Sequence, residues 1–198
     1  MRLFVALLLD PAWIETLEQV LRQLRALDRD SSVRWVDARS IHLTLKFLGE
    51  VEEPRVDELI ERLDAAVATR SAPRLALGGL GAFPTLKRPR VIWIGVEEDG
   101  RRLAPLQSRI EDAAAAMGWE RERRAFQPHL TLGRARDPRR SRGGRTSAPV
   151  ASHLAALPGI AVAAPAPSLQ TRLALVRSHL GPGGARYESL HRWHLPET

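Results

Sequence analysis

The sequence predicts a mixed helix-and-strand fold in which one strand–helix–strand unit occurs twice. Two observations carry this. The segment His42-Leu43-Thr44-Leu45-Lys46-Phe47-Leu48-Gly49 returns as His129-Leu130-Thr131-Leu132-Gly133-Arg134, and both copies alternate apolar and polar residues, the period of a strand with one buried face. The offset is 87 residues (129 − 42), and the same shift lays Val91-Ile92-Trp93-Ile94-Gly95-Val96 over Phe4-Val5-Ala6-Leu7-Leu8-Leu9, two apolar runs each followed by a helical pattern. A chance recurrence of four residues would not bring its flanking elements along.

Taken in order, residues 2–9 read as a first strand. Asp10-Pro11 then starts a helix, with a capping acid followed by proline at the first helical position. Ile14, Leu17, Val20, Leu21, Leu24 and Leu27 follow helical spacing and form one buried stripe. A short extended piece, residues 33–36, leads to the first motif strand, which Gly49 closes. Alternation puts Leu43, Leu45 and Phe47 in the core of that strand, and His42, Thr44 and Lys46 on its other face. Pro54 opens a second helix with the stripe Val56, Leu59, Ile60, Leu63 and Val67.

Residues 75–81 and 90–96 read as strands joined across residues 82–89, a connection rich in proline and basic residues that carries Phe83. It suits a rim that contacts a nucleotide, or a surface loop with Phe83 in the core. A third helix over 103–117 stops at Gly118. Pro128 then fixes the entry to the second motif strand, which alternation divides into His129 and Thr131 on one face and Leu130 and Leu132 on the other. The arginine-rich run 136–147 reads as a mobile loop and residues 150–157 as a short helix. Residues 169–180 and 185–195 form two strands around Gly181-Pro182-Gly183-Gly184.

At 198 residues and 44% hydrophobic, the chain suits one compact domain, 1–198, or two small lobes packed together. It has no cysteine, which excludes disulfides, thiol nucleophiles and cysteine metal sites. The apolar start is short and ends in Asp10-Pro11, so it reads as a buried strand and not a signal peptide. No segment has membrane-spanning length. The net charge of +7 invites a nucleic-acid reading. Only Lys46 and Lys87 are lysines, so 28 of the 30 cations are arginine, which fits a codon-composition bias and weakens that inference.

Two histidines on equivalent strands suit paired acid–base work, because imidazole titrates near neutral pH and one ring can be neutral while the other is charged. A hydroxyl two residues along points to the same side and can hydrogen-bond an anionic oxygen. No further acid or histidine stands at matching repeat positions, so metal binding by His42 and His129 ranks below acid–base use. A single strand histidine would ordinarily be structural; the repeat reverses that. His153, His179, His191 and His194 have no repeat partners and read as structural or exposed.

These motifs, with Arg2-Leu3-Phe4-Val5-Ala6, Arg34-Trp35-Val36, Gly81-Ala82-Phe83-Pro84, Phe126-Gln127-Pro128 and Leu180-Gly181-Pro182-Gly183-Gly184-Ala185-Arg186-Tyr187, make the chain resemble the two-histidine phosphoesterases. Within that superfamily it is similar to the RNA 2′,3′-cyclic phosphodiesterases of the LigT type. The resemblance implies an α+β fold of two pseudo-symmetric lobes, each an antiparallel sheet with outer helices, around a central cleft. It implies metal-independent and cofactor-free hydrolysis of RNA 2′,3′-cyclic phosphate ends, or of small cyclic nucleotides, to a 2′-phosphomonoester. His42 and His129 would be catalytic, Thr44 and Thr131 would hold phosphate oxygens, and Arg134, Lys46 and Phe83 would complete the substrate contacts. Strict alternation points Arg134 away from His129, so its role requires a bend at Gly133. The expected state is a cytoplasmic monomer. Two other readings stay open: a 2′-5′ phosphodiesterase or RNA ligase of the same superfamily, and a non-catalytic RNA-binding module.

Overall fold

The computed structural model describes residues 1–136, 164–181 and 184–197. The expected loop over 136–147, all but its first residue, and the expected helix over 150–157 with His153 lie outside the described residues. The elements run β1 (Arg2–Leu8), α1 (Pro11–Leu27), β2 (Val33–Trp35), β3 (His42–Glu50), α2 (Val56–Val67), β4 (Arg74–Thr85), β5 (Arg88–Asp99), α3 (Leu103–Ala116), β6 (His129–Ala135), β7 (Ser168–Leu169), β8 (Arg172–Gly181) and β9 (Gly184–His194). The fold is α+β, and among the described residues the strands join in one nine-stranded sheet in the order β7-β4-β5-β6-β3-β1-β8-β9, with β2 alongside β6. All pairings are antiparallel.

One face of the sheet carries the helices. Leu17, Val20, Leu21 and Leu24 of α1, Leu59 and Leu63 of α2 and Leu106 and Ile110 of α3 share a core with Leu3, Val5, Leu7, Leu43, Leu45, Ile92, Ile94, Leu130 and Leu132. Burying each such side chain stabilises the fold by about 1.5–3 kcal/mol, and this core holds the sheet's curvature in place. Asp10 caps α1 by accepting from the Trp13 amide at 2.9 Å. Trp13, outside the expected stripe, is fully buried, whereas Leu27 at the frayed end is exposed. The opposite face is bare of described helix and has its own small cluster of Phe4, Ala6, Ala174 and Val176.

Asp28 sets the exit from α1 by accepting hydrogen bonds from the Ser32 amide and hydroxyl, the Val33 amide and the Trp35 indole. Burial alone would raise its pKa, but these hydrogen bonds outweigh it and hold the carboxyl below its usual range.

Two expectations change at the hairpins. Residues 82–89 are not a long connection: β4 and β5 pair as far as Thr85 and Arg88, around the two-residue turn Leu86-Lys87. Pro84 and Pro89 face each other next to a register shift, where a proline is tolerated, so residues that read as breakers sit inside the ladder. At the C-terminal end, Leu169 belongs to the short strand β7 beside β4, separate from β8.

The pairing repeats at the offset of the motifs. Leu8 pairs with His42, Leu7 with Leu43 and Ala6 with Thr44; Gly95 pairs with His129, Ile94 with Leu130 and Trp93 with Thr131. At the centre of the sheet Leu43 pairs with Leu130, its own repeat equivalent. The two motif strands are therefore antiparallel neighbours about a pseudo-two-fold axis, and the two four-stranded halves are continuous there.

Candidate active site

Because Leu43 and Leu130 face the helices, the residues on either side of each face the bare side of the sheet. Stepping one residue along their antiparallel pair brings His42 level with Thr131 and Thr44 level with His129. The two histidines and two threonines expected from the sequence thus share one face. All four are partly exposed.

The histidines are held alike. His42 Nδ1 donates to the Ser40 carbonyl at 2.8 Å and His129 Nδ1 to the Gln127 carbonyl at 2.7 Å, again repeat equivalents. A carbonyl can only accept, so each ring has its proton on Nδ1 and is left with Nε2 for exchange with a ligand.

Their surroundings differ. His42 is stacked on Phe4 at 4.6 Å and meets Tyr187 edge-on at 4.9 Å. Burial holds its imidazole below the usual range, with the Ser40 carbonyl acting in the opposite sense. His129 meets Phe83 edge-on at 4.9 Å and lies 6.1 Å from Trp93. Phe83, half-buried in β4, is therefore at the site and not in the helix-side core. Trp93 lies against Gly81, where a Cβ would collide with its ring.

The expected placement of Lys46 and Phe47 is corrected. Ala6 pairs with Thr44 but Val5 with Lys46, so Leu45 is an extra residue and the alternation reverses after it. Lys46 turns to the helix side, is 6% exposed, and donates to Glu111 Oε2 and to the Glu120 carbonyl, each at 2.7 Å. It does not join His42 and Thr44. Phe47, expected in the core, is 65% exposed on their face.

The same bulge occurs in the second copy. Trp93 pairs with Thr131 and Ile92 with Gly133, leaving Leu132 as the extra residue. This reversal is the bend that Arg134 required, and it places Arg134, exposed, on the face of His129. Gly133, equivalent to Lys46, lies beneath β2, where a Cβ would meet Val33 at 2.6 Å and Trp35 at 2.8 Å.

The sequence assigns no role to Phe4, Trp93 or Tyr187. Phe4 and Trp93 occupy the strands that the 87-residue shift superposes, a usable signal. Tyr187 had none beyond its place after the glycine turn. Of the other histidines, His179 pairs with Glu188 at 2.9 Å and His191 lies 3.7 Å from Asp64. Among the described residues no three His, Asp or Glu side chains group as a metal ligand set, and no helix is long and apolar enough to cross a membrane.

A family model described as LigT like Phosphoesterase matches the chain twice, over residues 8–93 and 94–187, with one motif in each match. The chain belongs to this family. The LigT-like chain is 31% identical to an Escherichia coli K12 protein named RNA 2′,3′-cyclic phosphodiesterase, over 99% of its own length and 97% of the relative. It is 37% identical to an Archaeoglobus fulgidus protein of the same name over 69% of its length and 73% of the relative. A shorter match, 39% identical, spans 60% of the Aeropyrum pernix protein of that name. Among solved structures, E. coli LigT complexed with 3′-AMP has a TM-score of 0.68 at 28% identity, covering 98% of this LigT-like chain and 97% of that one. A Thermus thermophilus protein has a TM-score of 0.71 at 26% identity, covering 98% of both chains.

Proposed function

We propose that this protein hydrolyses RNA 2′,3′-cyclic phosphate ends to 2′-phosphomonoesters without a metal or cofactor, using His42 and His129 as acid and base. The observation that carries the proposal is the pair of imidazoles, each fixed as the Nδ1–H tautomer, sharing one sheet face with Thr44 and Thr131. The names of the relatives point the same way.

One imidazole, neutral, accepts a proton at Nε2 from water as the water oxygen attacks phosphorus. The bond from phosphorus to ribose O3′ breaks, and the other imidazole, protonated, gives its Nε2 proton to that oxygen. The product carries a 2′-phosphate and a free 3′-hydroxyl. Burial holds the His42 imidazole below its usual range, so the two rings of the pair are not equivalent in their surroundings. The hydroxyls of Thr44 and Thr131 and the Arg134 guanidinium stabilise the charge that builds on the non-bridging oxygens, while Phe83 holds the His129 ring and borders the ribose. The active unit is the whole bilobal chain, derived by internal duplication and acting as a cytoplasmic monomer on RNA ends or small cyclic nucleotides.

The test is incubation of the purified protein with a nucleoside 2′,3′-cyclic phosphate and identification of the product by chromatography. A 2′-monophosphate is expected. An untouched cyclic phosphate beside cleavage of a 2′-5′-linked dinucleotide would replace this reading with the sister activity. Binding of RNA with no turnover of either would leave a binding module.

A further inference from the structure

The two bulges are secured by different means. In the second half the extra residue Leu132 accepts at its carbonyl from the Val36 amide, just past the end of β2, at 2.9 Å. β2 itself pairs with β6 from Val33 to Trp35. The first half has no counterpart: β3 leaves β6 after the pair Leu43 with Leu130, and residues 120–122, which the repeat sets against β2, are not a strand. There the Leu45 carbonyl, repeat equivalent of Leu132, accepts from the side-chain amide of Gln107 on α3 at 3.4 Å. Gln107 Nε2 also donates to Glu111 Oε1, one turn on, at 3.3 Å. The other oxygen of Glu111 accepts from Lys46 at 2.7 Å and from the Glu122 amide at 3.4 Å. The residues of α1 that the 87-residue shift lays over Gln107 and Glu111 are Val20 and Leu24, both apolar and buried. An apolar contact therefore fills this place in one half, and a buried ion pair is a poor source of stability. Its presence only where the strand is missing points to geometry.

We propose that Gln107 is a positioning residue for Thr44. Its amide stands in for the absent strand and holds the peptide after Leu45, and with it the bulge beside Thr44, while the Glu111 and Lys46 pair holds Gln107. The inference rests on the hydrolytic reading above for what Thr44 does. Gln107 lies on the helix side of the sheet and acts only through the backbone. A reacting geometry disturbed by about 1 Å can cost on the order of 100-fold in rate, so a loosened bulge matters even though the hydroxyl is still present.

The experiment is a double-mutant cycle of Gln107→Leu with Thr44→Val, read as kcat and KM for adenosine 2′,3′-cyclic phosphate. Backbone amide hydrogen exchange of wild type and Gln107→Leu accompanies it and needs no turnover. Leucine suits a helix as well as glutamine does, so α3 is kept. Gln107→Leu is expected to lower kcat by about ten- to 100-fold with KM held within about twofold, and to add nothing to the loss in Thr44→Val. Amides from Leu45 to Leu48 are expected to exchange faster while those of α1 keep their rates. Lys46→Met combined with Glu111→Leu frees Gln107 from its anchor and is expected to lower kcat by a similar factor; a wild-type kcat there would overturn the role of the pair. An equal drop in the Thr44→Val background would mean that Gln107 acts by weakening the fold at large. That outcome, an unchanged kcat or an unchanged exchange at the bulge would each overturn the positioning role. If wild type hydrolyses nothing while Gln107→Leu frees the bulge amides, the clamp stands and the hydrolytic reading falls.

Discussion

Each motif histidine commits Nδ1 to a backbone carbonyl two residues before it, so the ring is oriented by its own strand entry and needs no partner carboxylate. Removing either ring takes away a positioned proton donor or acceptor. His42→Ala and His129→Ala are each expected to lower turnover by about 10²–10⁴ while the circular dichroism spectrum is retained. Near-normal turnover in either folded variant would end the acid–base assignment. The pH profile follows from the burial of His42. A ring with a depressed pKa loses its proton at lower pH, so the limb of the kcat/KM profile that His42 sets is expected below the ordinary histidine value of 6.5. The same depression favours the folded state above 6.5, and that contribution is lost as pH falls through the folded pKa. Tyr187→Ala opens the His42 ring to water and is expected to move that limb up toward 6.5; an unmoved limb would show that Tyr187 does not shield it.

Within the elements, the bulges decide which residues reach the site. Lys46 is turned under β3 into an ion pair with Glu111 of α3, both nearly buried. Its second contact, the Glu120 carbonyl, comes from the segment before β6 that corresponds in the repeat to β2. Where β2 covers Gly133 with Val33 and Trp35, this segment covers Lys46 with a carbonyl. Lys46→Met leaves Glu111 buried without its cation and is expected to cost about 3–5 kcal/mol in urea unfolding. Adding Glu111→Leu is expected to recover most of the loss, since an apolar pair of similar volume carries no desolvation penalty. A double variant no more stable than the single would mean that the pair has a role beyond neutralising itself.

Across the molecule, two halves of one sheet meet at a single pair, Leu43 with Leu130, and this junction sets all four motif side chains on one surface. Proton transfer and hydrogen bonding by those side chains are enough for a strained cyclic phosphodiester. Turnover is therefore expected to survive exhaustive treatment with EDTA. Loss of activity with recovery on adding a divalent ion would overturn the metal-free mechanism. The described helices and the four motif side chains lie on opposite faces, so stability and the proposed catalysis draw on largely separate residues.

The sequence by itself determined most of the elements before residue 136 and the surface that His42, Thr44, His129 and Thr131 share. Strand period, helix stripes and caps are local properties, and the 87-residue repeat shows two equivalent strands without any knowledge of their contacts. Tertiary structure decided the rest. Leu45 and Leu132 are as apolar as their neighbours, so nothing local marks them as the extra residue; the bulge exists only in the register each strand takes against β1 or β5. That register buried Lys46, exposed Phe47 and turned Arg134 toward the site. Tyr187 reached His42 because β8 and β9 pack beside β1, a contact between distant stretches of chain that no periodicity records. Periodicity reports how a strand would lie if regular, whereas its partners decide where the regularity breaks.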